Sequence, residues 1–188
     1  MFRKLLLACV LAAPLMLTTT APAQSGPELA AGGDFSLTDQ DGNRFRLSDH
    51  RGKVVLLFFG YTSCTEACPV ILARINSVFK QLGNDRDKAL AIFVSVDPKR
   101  DTTEILRDYV KYFSARTVAL TGKKEEIDSV AKQYGASYEI EKSDSALGYH
   151  ISHTTDIFLI DQRGALNSRF KHTDSPNLIT EGVRRLLR

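Results

Sequence analysis

The sequence predicts a single α/β domain built around a parallel core, and three observations carry that prediction. Two short runs, Val54 to Phe59, continuously apolar, and Ala89 to Val96, apolar except for Ser95, read as strands covered on both faces. Each is followed by a segment whose apolar residues recur at helical spacing, and the order strand, helix, strand, helix implies parallel pairing. The chain has 188 residues, 43% of them hydrophobic and 25% charged, which is the profile of one ordinary folded domain long enough to bury a core.

The N-terminus reads as targeting sequence. Arg3 and Lys4 precede an apolar run from Leu5 to Leu17, and a polar stretch ends in Ala21-Pro22-Ala23. This is the layout of a secretory signal over residues 1–23, cut after Ala23. The run is broken by Pro14 and too short for about 30 Å of hydrocarbon, so an uncut membrane anchor is the alternative. Leu6-Leu7-Ala8-Cys9 resembles a lipoprotein acylation site, but its apolar run is only three or four residues. Residues 24–33 read as a flexible linker, and residues 34–188 as the folded domain. Secretion places that domain in an oxidising compartment, the periplasm in a bacterium, with tethering to the inner membrane as the variant.

The elements follow in order. Asp34 to Thr38 and Arg44 to Leu47 alternate polar and apolar residues around Asp41-Gly42, a hairpin signal. Gly60-Tyr61-Thr62-Ser63 ends the first buried strand. Cys68-Pro69 opens a helix carrying Val70, Leu72, Ile75, Val78, Phe79 and Leu82, which stops at Gly83. Asp97-Pro98 ends the second buried strand, and Asp101 to Glu104 opens a helix with Ile105, Leu106, Tyr109, Val110 and Phe113. Thr117 to Thr121 is a shorter strand, and Lys123 to Tyr134 a helix with Ile127, Val130 and Ala131 on one face, ended by Gly135. Ser137 to Ile140 and Thr155 to Ile160 read as strands joined by the small and polar residues around Glu141 to Gly148. Leu166 to Phe170 and a helix from Pro176 to Leu187 close the chain.

Charge excludes one class of function. The chain carries 25 Lys and Arg against 22 Asp and Glu, or +3, and loss of Arg3 and Lys4 with the leader leaves +1. Nucleic-acid binding has no electrostatic support at that balance. No glycine pattern matches a phosphate-cradling loop either.

Chemistry concentrates on two cysteines and a distant histidine. Loss of the leader removes Cys9 and both methionines, leaving Cys64 and Cys68 as the only sulfurs. A cysteine at a helix start meets unpaired backbone N–H groups and the positive end of the helix dipole, both of which favour thiolate. An i, i+4 relation would place the two Cβ atoms about 5–6 Å apart, a gap that suits a metal ion. A disulfide needs about 3.5–4.5 Å and hence a tighter loop. A structural disulfide and a pair of inert thiols are the bland alternatives, the second weakened by the polar Thr62, Ser63, Thr65 and Glu66. His150 and His153 precede the strand at Ile157 in an extended segment, where they point to opposite sides. One of them is therefore free of any common site.

Taken in order, several motifs resemble the Sco/SenC family: Asp34-Phe35-x-Leu37 with Asp41-Gly42, Phe59-Gly60-Tyr61-Thr62-x-Cys64-x-x-x-Cys68-Pro69, Ser95-Val96-Asp97-Pro98-x-Arg100-Asp101-Thr102, Leu120-Thr121-Gly122 and His153. The resemblance implies a thioredoxin-like fold, with a central mixed sheet flanked by helices and an N-terminal β-hairpin extension. It implies a copper metallochaperone whose ligands fall on Cys64, Cys68 and His153. Members assist assembly of the dinuclear copper centre in subunit II of cytochrome c oxidase, by delivering copper or by reducing that centre's cysteines. The partner implied is that subunit or another copper-accepting periplasmic protein, and the chain is expected to be a monomer. Two thiolates and an imidazole suit Cu(I) and can also hold Cu(II). Asp97 and Asp101 match the family's acidic motif and read as outer ligand-orienting or docking groups, or else as a strand end and a helix cap.

Three positions depart from the family pattern. Thr65 stands where proline commonly follows the first cysteine, Thr103 replaces a common proline, and Ser152 occupies the usual acidic position before the histidine. The last leaves open what orients the imidazole. Two other functions share the same residues. A thiol-disulfide oxidoreductase would use Cys64 and Cys68 as its redox pair, although such enzymes favour C-x-x-C. A peroxidase would use Thr65-Glu66-Ala67-Cys68, although its expected proline is replaced by Tyr61.

Overall fold

The computed structural model describes residues 32–113, 116–144 and 148–188. The leader, the acylation motif at Cys9 and most of the linker lie outside these residues.

The hairpin forms as β1 (Ser36–Asp39) and β2 (Arg44–Arg46), and the two apolar runs form β3 (Val54–Gly60) and β4 (Ala89–Ser95), buried at every position. Helix α1 (Ala67–Leu82) joins them. Then come α2 (Thr103–Phe113), β5 (Thr117–Thr121), α3 (Lys124–Tyr134), β6 (Tyr138–Lys142), β7 (Tyr149–His153), β8 (Ile157–Ile160), β9 (Leu166–Phe170) and α4 (Pro176–Leu186). The main sheet has the order β2-β1-β5-β4-β3-β8-β9. Strands β3, β4 and β5 are parallel, while β1, β8 and β9 join antiparallel, so the sheet is mixed. This is the thioredoxin-like arrangement.

Alternation along β3 divides the core. Val55, Leu57 and Phe59 pack with Ile127, Val130 and Ala131 of α3 on one face. Val54, Leu56 and Phe58 pack on the other with Ile71, Leu72 and Ile75 of α1, Leu106 of α2 and Ile179 of α4. Each such side chain contributes about 1.5–3 kcal/mol when fully buried, so the sheet centre is the rigid frame on which the loops stand. Among the described residues no helix is long and apolar enough to cross a membrane.

Two boundaries differ from the sequence reading. Gly32 and Gly33, assigned to the linker, are tied down: Gly32 bridges Ala165, its N–H donates to the Gln133 carbonyl at 3.1 Å, and Tyr134 donates to the Gly33 carbonyl at 2.7 Å. The segment before β8 is also more ordered than the sequence suggests. β7 pairs antiparallel with β6 in a separate two-stranded sheet, with Tyr138 opposite His153 and Lys142 opposite Tyr149, and β8 starts only at Ile157. Only Ile151 in β7 is buried, so the strand lacks the apolar run that would announce it.

Candidate metal centre

β3 ends at Gly60, whose carbonyl accepts the Val96 N–H at 2.8 Å. The chain then turns through Tyr61 to Glu66, with the Cys64 N–H donating to the Tyr61 carbonyl at 3.1 Å, and enters α1. Cys64 lies half-exposed in this turn, and Cys68 is fully buried in the first turn of the helix. His153 closes β7, and its Nε2 lies 3.8 Å from Cys68 Sγ. The ligand atoms of Cys64, Cys68 and His153 all lie within 4.8 Å of one another. His150 points away and pairs with Glu141 at 3.0 Å, in keeping with the alternation of an extended segment.

The imidazole is oriented without the missing acid. Ser152 is exposed, and the Thr154 carbonyl lies 3.0 Å from His153 Nδ1. A carbonyl only accepts, so Nδ1 carries the proton and Nε2 is the atom presented to the sulfurs. The Tyr61 ring meets the imidazole edge-on at 5.7 Å, and the Tyr61 hydroxyl accepts the Ile151 N–H at 3.3 Å. Backbone and an aromatic wall therefore supply the orientation that an outer carboxylate would otherwise give.

The sulfurs divide their roles by environment. The pKa of Cys64 is pulled down to about 3, first by the hydrogen bond from the Cys68 thiol, then by the amides of Cys68 and Glu66, against the effect of burial. Cys68 is pushed up by holding the proton shared with Cys64 and by burial. The pair thus carries one thiolate on the exposed sulfur and one thiol on the buried one. At pH 6, iodoacetamide should modify Cys64 at least about tenfold faster than Cys68, and the Cys64 rate should persist at pH 5, where an ordinary thiol is almost wholly protonated. Peptide mapping by mass spectrometry reads both sites, and preferential labelling of Cys68 would refute the assignment. The same division weakens the peroxidase alternative, because the sulfur of Thr65-Glu66-Ala67-Cys68 is the buried, protonated one.

Asp97 and Asp101 are buried, with 3% and 1% exposure, so neither side chain is presented to a docking partner. Asp101 accepts from the Thr62 N–H at 3.0 Å, the Thr62 hydroxyl at 2.6 Å and the Ser95 hydroxyl at 2.5 Å, which ties the cysteine turn to the end of β4. It does not cap α2; Thr102 accepts the Ile105 N–H there instead. Asp97 accepts from the Tyr149 hydroxyl at 2.8 Å and from Arg100 Nε. The Arg100 guanidinium stacks 3.7 Å over the Tyr149 ring and donates to the Tyr149 carbonyl at 3.1 Å. Asp97 and Arg100 therefore clasp the start of the strand that ends in His153.

Sequence reasoning missed Gly60, Tyr61, Arg100 and Tyr149 as parts of the site. Gly60 was legible as a strand breaker and as one residue of the family motif, with no role at the site, yet a Cβ there would overlap Cys68 Sγ and reach Phe93 Cε2 at 3.1 Å and His153 Cε1 at 3.7 Å. Its lack of a side chain is what makes room for Cys68 Sγ.

A thioredoxin-like fold whose strand-to-helix turn holds two cysteines under an imidazole from a separate hairpin defines a thioredoxin-like protein with a candidate thiolate–imidazole metal centre. The family model described as SCO1/SenC matches residues 23–188, and the chain belongs to that family. It is 33% identical over 151 residues to the SCO2-like protein of Rickettsia felis, covering 80% of this chain and 74% of that one. Its fold is similar to that of Bradyrhizobium japonicum ScoI with copper bound, with a TM-score of 0.76, 36% identity, and coverage of 84% of this chain and 100% of the other. It is also similar to Arabidopsis thaliana ScoI with copper bound, with a TM-score of 0.78, 30% identity, and coverage of 84% and 98%.

Proposed function

We propose that this chain binds one copper ion as cargo through Cys64, Cys68 and His153, and passes it to the dinuclear copper centre of cytochrome c oxidase or to another copper-accepting protein. The reading places it outside the cytoplasm, in the periplasm, where its partner's copper domain would be reached. The observation that carries it is the convergence of two sulfurs and Nε2 within 4.8 Å, with Cys64 on the open side. Two thiolates and an imidazole form a soft, low-coordinate set that suits Cu(I), and with no fourth ligand grouped with them among the described residues the ion can leave by exchange with a partner's ligands. Copper bound to copper-loaded relatives of the same fold supports the choice of metal. Loading must remove the Cys68 proton, so affinity should fall on acidification.

A second reading has its own support in the split between the sulfurs. The Cys64 thiolate could attack a partner disulfide, and Cys68, after giving up its proton, could displace the partner sulfur to leave a Cys64–Cys68 disulfide and two partner thiols. That pairing would let the same chain reduce the acceptor's cysteines before loading them.

Anaerobic titration of the purified chain separates the two. About one Cu(I) per chain is expected, with thiolate-to-metal absorption when Cu(II) is added instead. No copper uptake, together with ready reduction of a protein disulfide, would replace the chaperone reading by the oxidoreductase one.

A further inference from the structure

Beside the metal centre, the β6–β7 hairpin and the residues after β4 enclose a recess of about 550 Å³. Val96, Tyr138 and Ile140 line its apolar part, and Lys99, Lys124 and Lys142 contribute its charge. Strand alternation sorts the hairpin's charges: Tyr138, Ile140 and Lys142 share the recess face of β6, while Glu139 and Glu141 share the other. Glu141 is spent on His150 at 3.0 Å. Asp97 is the one carboxylate in the lining among the described residues, and it is buried against Arg100 and Tyr149. Lys124 pairs with Asp128 at 2.7 Å, but neither Lys99 nor Lys142 has a carboxylate partner among the described residues. Ile140 remains 53% exposed between these cations, an apolar surface that a partner could cover.

The recess is therefore electropositive at its rim and apolar within, a shape that selects a bulky apolar side chain flanked by carboxylates. A concave site of this kind fits a peptide segment better than a bilayer, which could meet the lysine ammonium groups without filling the space beneath them. Tyr138, on the recess face, also stands directly opposite His153 across the hairpin. An occupant would press on the same pair of strands that carries the imidazole.

We propose that this recess docks an acidic, apolar-centred segment of the protein that receives the copper. The proposal rests on the copper-transfer reading above, and its test is independent of it. A random dodecapeptide library displayed on phage is selected against the immobilised full chain. The peptides recovered should carry net negative charge around an aromatic or branched aliphatic residue, and as synthetic peptides should shift the amide resonances of Lys99, Ile140 and Lys142. The double variant Lys99→Glu and Lys142→Glu should bind them about tenfold more weakly, and the wild-type interaction should weaken with salt. Recovery of neutral or basic peptides, equal binding to the double variant, or binding only to phosphatidylglycerol vesicles would overturn it. Neither lysine touches a candidate ligand, so the double variant should take up copper as wild type does. Wild type that takes up no copper would instead end the transfer reading, leaving the peptide result to stand or fall by itself.

Discussion

Gly60→Ala is expected to lower Cu(I) affinity by about 100-fold, close to the effect of Cys68→Ser, although Gly60 offers no ligand. The added methyl would occupy space now filled by Cys68 Sγ and crowd Phe93 Cε2 at 3.1 Å. The backbone cannot easily yield, because Gly60 lies opposite Ser95 at the end of a parallel pairing and also accepts the Val96 N–H. The strain must then fall on the sulfur, which rotates away from Cys64 and His153. Overpacking of this kind costs about 1–3 kcal/mol of stability, so the variant should still fold. Competition against a Cu(I) chelator measures the affinity and circular dichroism the fold. A folded Gly60→Ala chain with wild-type affinity would show that the sulfur's present position is not required.

Asp101→Ala should produce the largest loss of stability among single changes around the site, about 3 kcal/mol, with Asp101→Asn losing about 1 kcal/mol. Three donors converge on this carboxylate, from the Thr62 amide, the Thr62 hydroxyl and the Ser95 hydroxyl. Alanine leaves them without their acceptor in a buried setting. Asparagine keeps one oxygen for the Thr62 amide and Ser95, and its amide can donate to a Thr62 hydroxyl that has turned to accept. Urea unfolding measures the stability, and the ratio of Cys64 to Cys68 alkylation reports whether the turn keeps its shape. Equal losses for alanine and asparagine would mean that burial of the side chain, and not these hydrogen bonds, holds the segment.

These two residues also show how far the sequence could be read. Val54 to Phe59, Ala89 to Val96 and the helix after Cys68 were legible because apolar spacing reports local geometry and burial together. The strand Tyr149–His153 was not, since four of its five residues are left partly or fully exposed. His153 could be paired with the cysteines only through the family resemblance, because 85 residues separate it from Cys68 and spacing within the chain says nothing of that approach. Ser152 lacks the usual acid, and the Thr154 carbonyl, which no motif marks, holds the ring in its place.

What the chain's own pattern established was local: an α/β order, two thiols at a strand-to-helix turn, and opposite directions for His150 and His153. Such features depend on backbone geometry over a few residues, which the order of side chains encodes directly. Folding decided the rest: which sulfur is ionised, why Gly60 must lack a side chain, and that Asp97 and Asp101 brace two segments from within. Those outcomes depend on distances between segments far apart in the chain, and packing sets such distances only when the whole sheet and its covering helices have formed.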